Sequence, residues 1–376
     1  MRIALFPSAY APWVGGVEEL TRGLAFQLAG SGDEVEIWTL RHPHTLPAKE
    51  EIGGLRVRRF ALPLPDASPR SLLAFPHAAR AGMRELRLAA DEFRPDVVHV
   101  QCFSANGVYA AALRGTPLVV SLQGETVMDD RDIYDRSLAL RLGLRLGLRR
   151  ARAVTACSAF VLADAYRRFG LPEGRGTVVP NGVDLAGERA LAPLSVPFDR
   201  FVLGLGRVVR KKGFDLLLDA FARLAPHRPG LGLVVGGDGP ERDALAERVR
   251  ELGLDGRVLL PGSLSRAQVA WAMANASVFV LPSRVEPFGI VVLEALRARR
   301  PVVVSTHGGA TEIARDEREA LAADPFDAGA LATAIARTLD EEALRERLAR
   351  AGEARVRAFD WTLVAERYRS IYRSVT

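Results

Sequence analysis

The stretch Val278-Phe-Val-Leu-Pro-Ser-Arg-Val-Glu-Pro-Phe-Gly-Ile-Val-Val-Leu-Glu294 shows a pattern that repeats along the whole chain. Its first four residues, Val278–Leu281, predict a buried strand, because valine and phenylalanine favour β structure. A turn with proline and glycine follows, and the next apolar segment predicts a helix over Gly289–Ala298. A fully apolar strand followed by a helix is typical of a parallel sheet that helices cover on both faces.

The same alternation of strand and helix is found in both halves of the sequence. The predicted strands are Arg2–Phe6, Glu34–Leu40, Leu55–Phe60, Asp96–Gln101, Pro117–Leu122, Ala153–Ala156, Phe201–Leu205, Leu231–Val235, Arg257–Leu260, Val278–Leu281 and Pro301–Ser305. The predicted helices are Val17–Gly30, Ser71–Phe93, Ser137–Arg150, Phe214–Leu224, Pro240–Leu252, Arg266–Asn275, Gly289–Ala298, Ala328–Leu339 and Trp361–Tyr372.

This order predicts an α/β fold of two doubly wound, Rossmann-like domains. We place them at residues 1-183 and 184-358, because the motif Val179–Asp184 is followed by a stretch without periodicity. The last helix, within residues 359-376, is expected to return to the first domain. Ligands of such sheets bind at the carboxyl ends of the strands, so we expect the substrates to bind in a cleft between the two domains.

The composition of the 376-residue chain is that of a globular protein, with 48% hydrophobic and 26% charged residues. The net charge of +6 is divided evenly, with an excess of three basic residues in each half, which argues against a nucleic-acid-binding arm. Two cysteines, Cys102 and Cys157, form neither a disulfide scaffold nor a paired-cysteine zinc site.

No apolar run is long enough to span a bilayer, and Pro7 and Pro12 interrupt the N-terminal apolar run, so we expect a cytoplasmic protein.

Two carboxylates, Glu286 and Glu294, stand eight residues apart in the opening stretch. Eight helical residues span about 12 Å, more than the roughly 5–9.5 Å between the paired carboxylates of a glycoside hydrolase. The two side chains are therefore better placed to bind different ends of one long ligand. The backbone N–H groups of Phe288, Gly289 and Ile290 lie at the helix start, which suits a phosphate. The plainer alternative is an ordinary strand–turn–helix with Glu294 in solvent.

A basic turn, Gly204–Phe214, follows the first strand of the second domain. The chain has only three lysines, and two of them, Lys211 and Lys212, are adjacent here. An ammonium is a compact charge, and together with Arg207 it could neutralise a diphosphate. The alternative is a solvated basic loop.

Two further glycine-rich turns follow strands. Gly15 and Gly16 stand between the first strand and the first helix, where backbone N–H groups can hold an anion. The turn Gly236–Pro240 lacks the third glycine of the G-x-G-x-x-G fingerprint, so a dinucleotide oxidoreductase is the weakest of the functional hypotheses.

Arg141, Arg145 and Arg149 recur at intervals of four residues and share one face of a predicted helix. A basic amphipathic helix of this kind can rest on anionic lipid, which would place the protein peripherally at the inner membrane face. A packed helix with a solvated arginine edge is the favoured alternative, because the intervening leucines suit a core.

The motifs together resemble the retaining glycosyltransferases of family 4, which have the two-domain GT-B architecture. The segments that carry the resemblance are A-P-W-V-G-G-V-E from residue 11, V-V-P-N-G-V-D from 178, G-R-V-V-R-K-K-G-F-D from 206, G-G-D-G-P-E-R from 236, L-P-S-R-V-E-P-F-G-I-V-V-L-E-A from 281 and F-D-W from 359. Their order covers almost the whole chain, and the two glutamates around P-F-G are the most specific feature.

The resemblance implies transfer of a hexosyl group from a nucleotide diphosphate sugar, with retention of configuration and without a metal ion or other cofactor. The acceptor would be a saccharide, a lipid-linked molecule or another small molecule. The donor-binding residues that it implies are Gly15, Gly16, Arg207, Lys212, Glu286, Phe288, Gly289, Ile290 and Glu294. Arg207 and Lys212 would hold the diphosphate. Glu294 would bind the ribose, and Glu286 with the backbone after Phe288 would bind the sugar.

One position departs from the family pattern. Many members have a histidine that faces the sugar after the fifth strand of the first domain, and here the residue is Gln123. Gln101 likewise stands where a histidine is frequent. Glutamine can hydrogen-bond a hydroxyl group but carries no charge at ordinary pH. We therefore assign Glu286, Arg207, Lys212 and Gln123 to catalysis, and keep as the alternative a nucleotide-sugar-binding protein with little or no transferase activity.

Overall fold

The computed structural model describes residues 1–13, 15–65, 68–129, 132–186 and 190–376, and it leaves the side chains of 69–72 undescribed. Val14, part of the first motif, lies outside these ranges. The chain divides into two compact units. Unit 1 contains Met1–Gly182 and Trp361–Thr376, and unit 2 contains Val183–Asp360.

Unit 1 is built on an eight-stranded sheet in the order β3-β4-β2-β1-β5-β6-β7-β8. Its strands are β1 (Arg2–Pro7), β2 (Glu34–Leu40), β3 (Lys49–Ile52), β4 (Leu55–Phe60), β5 (Val97–Gln101), β6 (Leu118–Leu122), β7 (Ala153–Ala156) and β8 (Gly176–Val178). Its first helices are α1 (Gly16–Gly30), α2 (Pro69–Phe93), α3 (Ala105–Ala112), α4 (Glu125–Met128), α5 (Ile133–Arg136), α6 (Leu138–Arg150) and α7 (Ala159–Phe169). All neighbouring strands are parallel except β3 and β4.

Unit 2 is built on a six-stranded parallel sheet in the order β11-β10-β9-β12-β13-β14. Its strands are β9 (Arg200–Leu205), β10 (Leu231–Gly236), β11 (Val258–Gly262), β12 (Val278–Leu281), β13 (Val302–Ser305) and β14 (Leu321–Ala323). Its α-helices are α8 (Phe214–Leu224), α9 (Arg242–Glu251), α10 (Arg266–Asn275), α11 (Ile290–Arg297), α12 (Ala310–Ile313), α13 (Ala328–Asp340) and α14 (Glu342–Val356).

The last helix, α15 (Trp361–Val375), packs in the core of unit 1. Its Tyr372 hydroxyl lies 2.7 Å from Nδ1 of His99, and Nε2 of the same imidazole lies 2.6 Å from the Ser121 hydroxyl. His99 has no exposed surface, and this burial lowers its pKa to about 3. The imidazole is therefore neutral at ordinary pH and joins α15 to β5 and β6 as a structural residue.

The predicted α/β fold is confirmed, and each of the eleven predicted strands is present. Three short strands, β3, β8 and β14, were not predicted. The sequence of β3 is Lys-Glu-Glu-Ile, which has no apolar run, and β8 and β14 have three residues each. Strands of these compositions form because an existing sheet edge offers them hydrogen bonds, not because of their own propensity. Within the described residues, no helix is long and apolar enough to cross a bilayer.

Candidate functional site

The centre of the site in unit 2 is an ion pair between two predicted residues. Nζ of Lys212 lies 2.7 Å from Oε2 of Glu286, and both side chains are largely buried, with 15% and 6% of their surfaces exposed. The Ser283 hydroxyl donates to the same oxygen at 2.9 Å. Oε1 of Glu286 accepts no hydrogen bond from any described residue. One oxygen therefore holds the lysine, while the other is available to a ligand hydroxyl.

Two backbone hydrogen bonds fix the position of Glu286 beside β13. Its N–H donates to the carbonyl of His307 at 3.1 Å, and its carbonyl accepts from the N–H of Gly309 at 2.7 Å. The residue between them, Gly308, has φ of +122°, and a Cβ there would lie only 2.1 Å from the Glu286 carbonyl oxygen. Only glycine allows this close approach. The loop after β13 thus determines where the Glu286 carboxylate lies.

The turn that carries Arg207 and Lys212 is held by the glycine-rich turn after β10. The N–H of Val208 donates to the carbonyl of Asp238 at 2.8 Å. A Cβ at Gly237, which has φ of +133°, would lie 1.9 Å from the carbonyl oxygen of Gly206. The turn Gly236–Pro240 therefore positions the basic turn Gly204–Phe214 through backbone contacts. Arg207 itself is exposed, whereas Lys212 is partly buried.

Helix α11 begins with unused donors. Gly289 precedes it in the left-handed region, with φ of 98°, and no side chain caps the helix. Among the described residues, the N–H groups of Phe288, Gly289 and Ile290 donate to no acceptor. Phe288 is 4% exposed and packs edge-on against Phe359, with 6.2 Å between ring centroids. The start of α11, beside the Lys212–Glu286 ion pair in sequence and space, offers N–H donors to an anion.

Glu294 lies further along α11, at a small pocket of about 190 Å³. The other residues that line this pocket are Leu191, Ala270, Met273, Arg297 and Ala298. The structure therefore brings together Lys212, Glu286 and the helix start, and it places Glu294 at a small pocket further along the same helix.

The two glycines predicted in the first domain lie at the start of α1 in unit 1. Gly15 is the N-cap, in an extended conformation, and Gly16 is the first helical residue. Oε2 of Glu18 lies 2.7 Å from the position that a Cβ at Gly15 would take. A carboxylate of the chain itself thus lies beside this helix start, so the anion-binding role of Gly15 and Gly16 stays a prediction.

Gln123 follows β6 in unit 1, and its side-chain amide makes no hydrogen bond to a described residue. Its Oε1 and Nε2 atoms are both enclosed, and neither makes a hydrogen bond to a described residue. An enclosed amide without partners is costly unless a ligand satisfies it. The structure therefore leaves Gln123 able both to donate to and to accept from a hydroxyl group.

Glu125, at the start of α4, is a titratable group that the sequence analysis did not identify. Its Oε1 accepts from the N–H of Phe103 at 2.6 Å, and its Oε2 accepts from the N–H of Gln123 at 2.7 Å. Burial raises the pKa of this carboxyl to about 7, although the backbone hydrogen bonds oppose the shift. The sequence did contain a signal that could have identified Glu125. Its carboxylate stands two residues after Gln123 and directly after Gly124, close to the end of β6.

We expect the pH dependence of stability to change in Glu125→Gln. The pKa of Glu125 is about 7 in the folded chain against an ordinary 4.5, so the native state binds this proton more tightly than the unfolded state. Its contribution to the free energy of unfolding is therefore present at low pH and is lost as the pH rises through 7. Between about pH 4.5 and 7.5 the free energy of unfolding of the wild type falls by up to about 3 kcal/mol through this group, and that of the variant does not. Thermal unfolding across this range measures the difference.

The matched control is Glu85→Gln, an exposed glutamate on α2 of the same unit. Its melting temperature should follow that of the wild type at every pH. Parallel curves for Glu125→Gln and the wild type would show that the Glu125 carboxyl titrates in its ordinary range.

Comparison with known proteins identifies the family. The model of the family "Glycosyl transferases group 1" matches residues 195–355, and that of "Glycosyltransferase Family 4" matches residues 14–186. A D-inositol 3-phosphate glycosyltransferase of Kineococcus radiotolerans is 30% identical over 96% of this chain and 90% of that protein. The chain therefore belongs to the group 1 glycosyltransferases of family 4, which confirms the resemblance of its motifs.

Solved structures support the same architecture. Sucrose-phosphate synthase from Thermosynechococcus elongatus has a TM-score of 0.80 at 25% identity, over 99% of this chain and 98% of that one. Alr3699/HepE from Anabaena, in complex with UDP and glucose, has a TM-score of 0.78 at 21% identity, with both chains covered completely. The protein is a glycosyltransferase with two Rossmann-like units of the GT-B type. These findings do not favour a binding protein without activity.

Proposed function

We propose that the protein transfers a hexosyl group from a nucleotide diphosphate sugar to an acceptor hydroxyl, with retention of configuration at the anomeric carbon. The observation that carries this proposal is the buried Lys212–Glu286 ion pair next to the uncapped start of α11. An ammonium and free N–H groups suit a diphosphate, and a carboxylate oxygen suits a sugar hydroxyl.

The donor is proposed to be a nucleoside diphosphate hexose, and UDP-glucose is the first to test. The Anabaena protein with the same fold is in complex with UDP and glucose. Lys212 and Arg207 would neutralise the diphosphate as the glycosidic bond to it breaks, which stabilises charge that develops on the leaving group. These two cations would supply the positive charge without a metal ion.

In the proposed step, the acceptor oxygen bonds to the anomeric carbon on the face that the diphosphate leaves. The acceptor proton passes to the departing phosphate oxygen, and the products are a glycoside and a nucleoside diphosphate. Glu286 would orient the donor sugar through Oε1. Gln123, whose amide carries no charge, would hydrogen-bond a sugar hydroxyl. We propose that the acceptor is a saccharide or a lipid-linked molecule.

Nucleotide binding tests this proposal through Lys212→Ala. A nucleotide at 100 times its Kd stabilises the protein by about 2.7 kcal/mol, and we expect one of UDP, GDP, ADP and TDP to do so. The stabilisation by this nucleotide should fall by at least half in the variant, because the ammonium that would face the diphosphate is removed. Thermal unfolding with and without each nucleotide measures it, each variant being compared with its own unliganded state.

Lys49→Ala provides the matched control, since Lys49 is an exposed lysine of unit 1 that pairs with Glu92. It should keep the full nucleotide shift. A wild type that responds to no nucleotide, or a Lys212→Ala variant that responds fully, would contradict the donor site in unit 2.

A further inference from the structure

Unit 1 exposes a group of leucines on two helices. Among the described residues, twelve large hydrophobic side chains are exposed, and five of them belong to α2 and α6. These five, which are between 46% and 83% exposed, are Leu73, Leu88, Leu138, Leu142 and Leu146. Single exposed leucines are ordinary, but a cluster of them marks an interaction surface.

Helix α6 carries two separate stripes of leucine. Leu140, Leu144 and Leu148 are buried in unit 1, as a packed helix requires. Leu138, Leu142 and Leu146 repeat at the same interval of four residues, and all three are exposed. The expectation that the leucines of this helix serve the core therefore holds for the first stripe, whereas the second stripe keeps 46% to 69% of its surface exposed.

Ion pairs are absent among the described arginines of the same helices. Within the described part of the chain, seven of them form no ion pair with a carboxylate: Arg80, Arg84, Arg87, Arg141, Arg145, Arg149 and Arg150. Helix α6 has four arginines and no acidic residue. Some other arginines of this unit are paired, as Arg58 is with Glu36 and Arg168 is with Asp164. The positive charge of this surface is thus left for a partner.

The two helices belong to one continuous surface, because α3 lies between them. Val108 of α3 lies against Gly143 of α6, with Cγ2 2.7 Å from the position of a Cβ there. Val108 also lines an open groove of about 510 Å³ together with residues of α2. The apolar side chains of this groove include Phe75, Met83 and Leu88, and Arg80, Arg84 and Arg87 also line it.

We propose that the surface formed by α2, α3 and α6, here called the Leu–Arg surface, binds an anionic lipid bilayer. The exposed leucines would enter the acyl region, and the unpaired arginines would contact lipid phosphates. A nucleic acid would use the arginines but not the leucines. A second copy of this surface would bring two sets of unpaired arginines together, which opposes a symmetric dimer.

This inference names a class of acceptor for the proposed transfer reaction, and that part of it rests on the proposed function. A transferase held on a bilayer by unit 1 would meet acceptors that are themselves lipid-linked. Attachment of this kind would be interfacial, with α6 lying in the plane of the membrane.

Co-flotation of the full chain with vesicles tests the proposal. We compare vesicles of phosphatidylcholine alone with vesicles that contain about one third phosphatidylglycerol. Binding should be at least tenfold tighter to the anionic vesicles and should weaken in high salt, because phosphate contacts are screened. The triple variant Leu138→Gln/Leu142→Gln/Leu146→Gln should bind at least tenfold more weakly, and so should Arg80→Gln/Arg84→Gln/Arg87→Gln.

Two control variants test whether weaker binding is specific to the Leu–Arg surface or follows from the loss of any exposed leucine or arginine. Leu363→Gln removes an exposed leucine of α15, and Arg167→Gln removes an exposed arginine of α7. Both should bind vesicles as the wild type does. Wild-type protein that ignores anionic vesicles, or a leucine variant that binds them fully, would overturn the proposal. A dimer that the wild type forms and the triple leucine variant does not form would also overturn the proposal. The nucleotide shifts described above are independent of vesicles, so the donor site could still be confirmed in that case.

Discussion

Glu286→Gln is expected to lower kcat/KM for hexosyl transfer by about two to three orders of magnitude, the effect of removing one preorganised electrostatic group from an active site. The carboxylate pairs with Lys212 at 2.7 Å and accepts from Ser283. The amide has a similar shape but no charge, so the Lys212 ammonium stays in place without its counter-charge. Acceptor-dependent release of nucleoside diphosphate measures the loss.

The same variant should be less stable, since removal of one partner from a buried ion pair typically costs about 3 kcal/mol. Glu353→Gln is the matched control, because Glu353 forms an exposed ion pair with Arg299 in the same unit. It should change the rate by less than twofold and the melting temperature only slightly. Activity of Glu286→Gln within threefold of the wild type would exclude the proposed role of this carboxylate.

Gly308→Ala is expected to reduce kcat/KM by at least tenfold, although neither glycine nor alanine has a reactive group. The new methyl group would lie 2.1 Å from the Glu286 carbonyl oxygen, so the backbone of Glu286 must move. A shift of about 1 Å at a catalytic carboxylate can cost a hundredfold in rate. Overpacking and the positive φ together should also destabilise unit 2 by about 3 kcal/mol.

Gly253→Ala separates these two causes. Gly253 also has a positive φ, +64°, but a Cβ there would meet no atom within 4 Å. This variant should lose stability by about 1 kcal/mol, through backbone strain alone, and should keep full activity. Equal rates for Gly308→Ala and Gly253→Ala would show that the contact with Glu286 does not position the carboxylate.

Apolar runs and turn residues were sufficient to predict the architecture. Strands such as Val278–Leu281 are continuous valine-rich segments, and burial on both faces of a parallel sheet requires that composition. The edges of the sheets were harder to predict. Gly176–Val178 forms a strand with two exposed residues, so its pairing depends on β7 and leaves no hydrophobic signal.

The site was only partly predictable from sequence. Lys212 and Glu286 were both identified, but their ion pair joins residues 74 positions apart and depends on the backbone contact at Gly308. The raised pKa of Glu125 depends on burial at the end of β6, which no local pattern specifies. The exposed leucines of α6 were also unpredictable, because a helix with two leucine stripes has the same composition whether one stripe or both are buried.

The contact between Gly182 and Trp361 has a consequence for the topology of the chain. A Cβ at Gly182 would lie 2.4 Å from the indole ring of Trp361, so the point where the chain leaves unit 1 adjoins the point where it returns. In covalent terms, Val183–Asp360 is an insertion into unit 1. A short linker from 182 to 361 would excise it and keep every strand of the eight-stranded sheet. A simple truncation after 182 would instead remove Tyr372 and uncover His99.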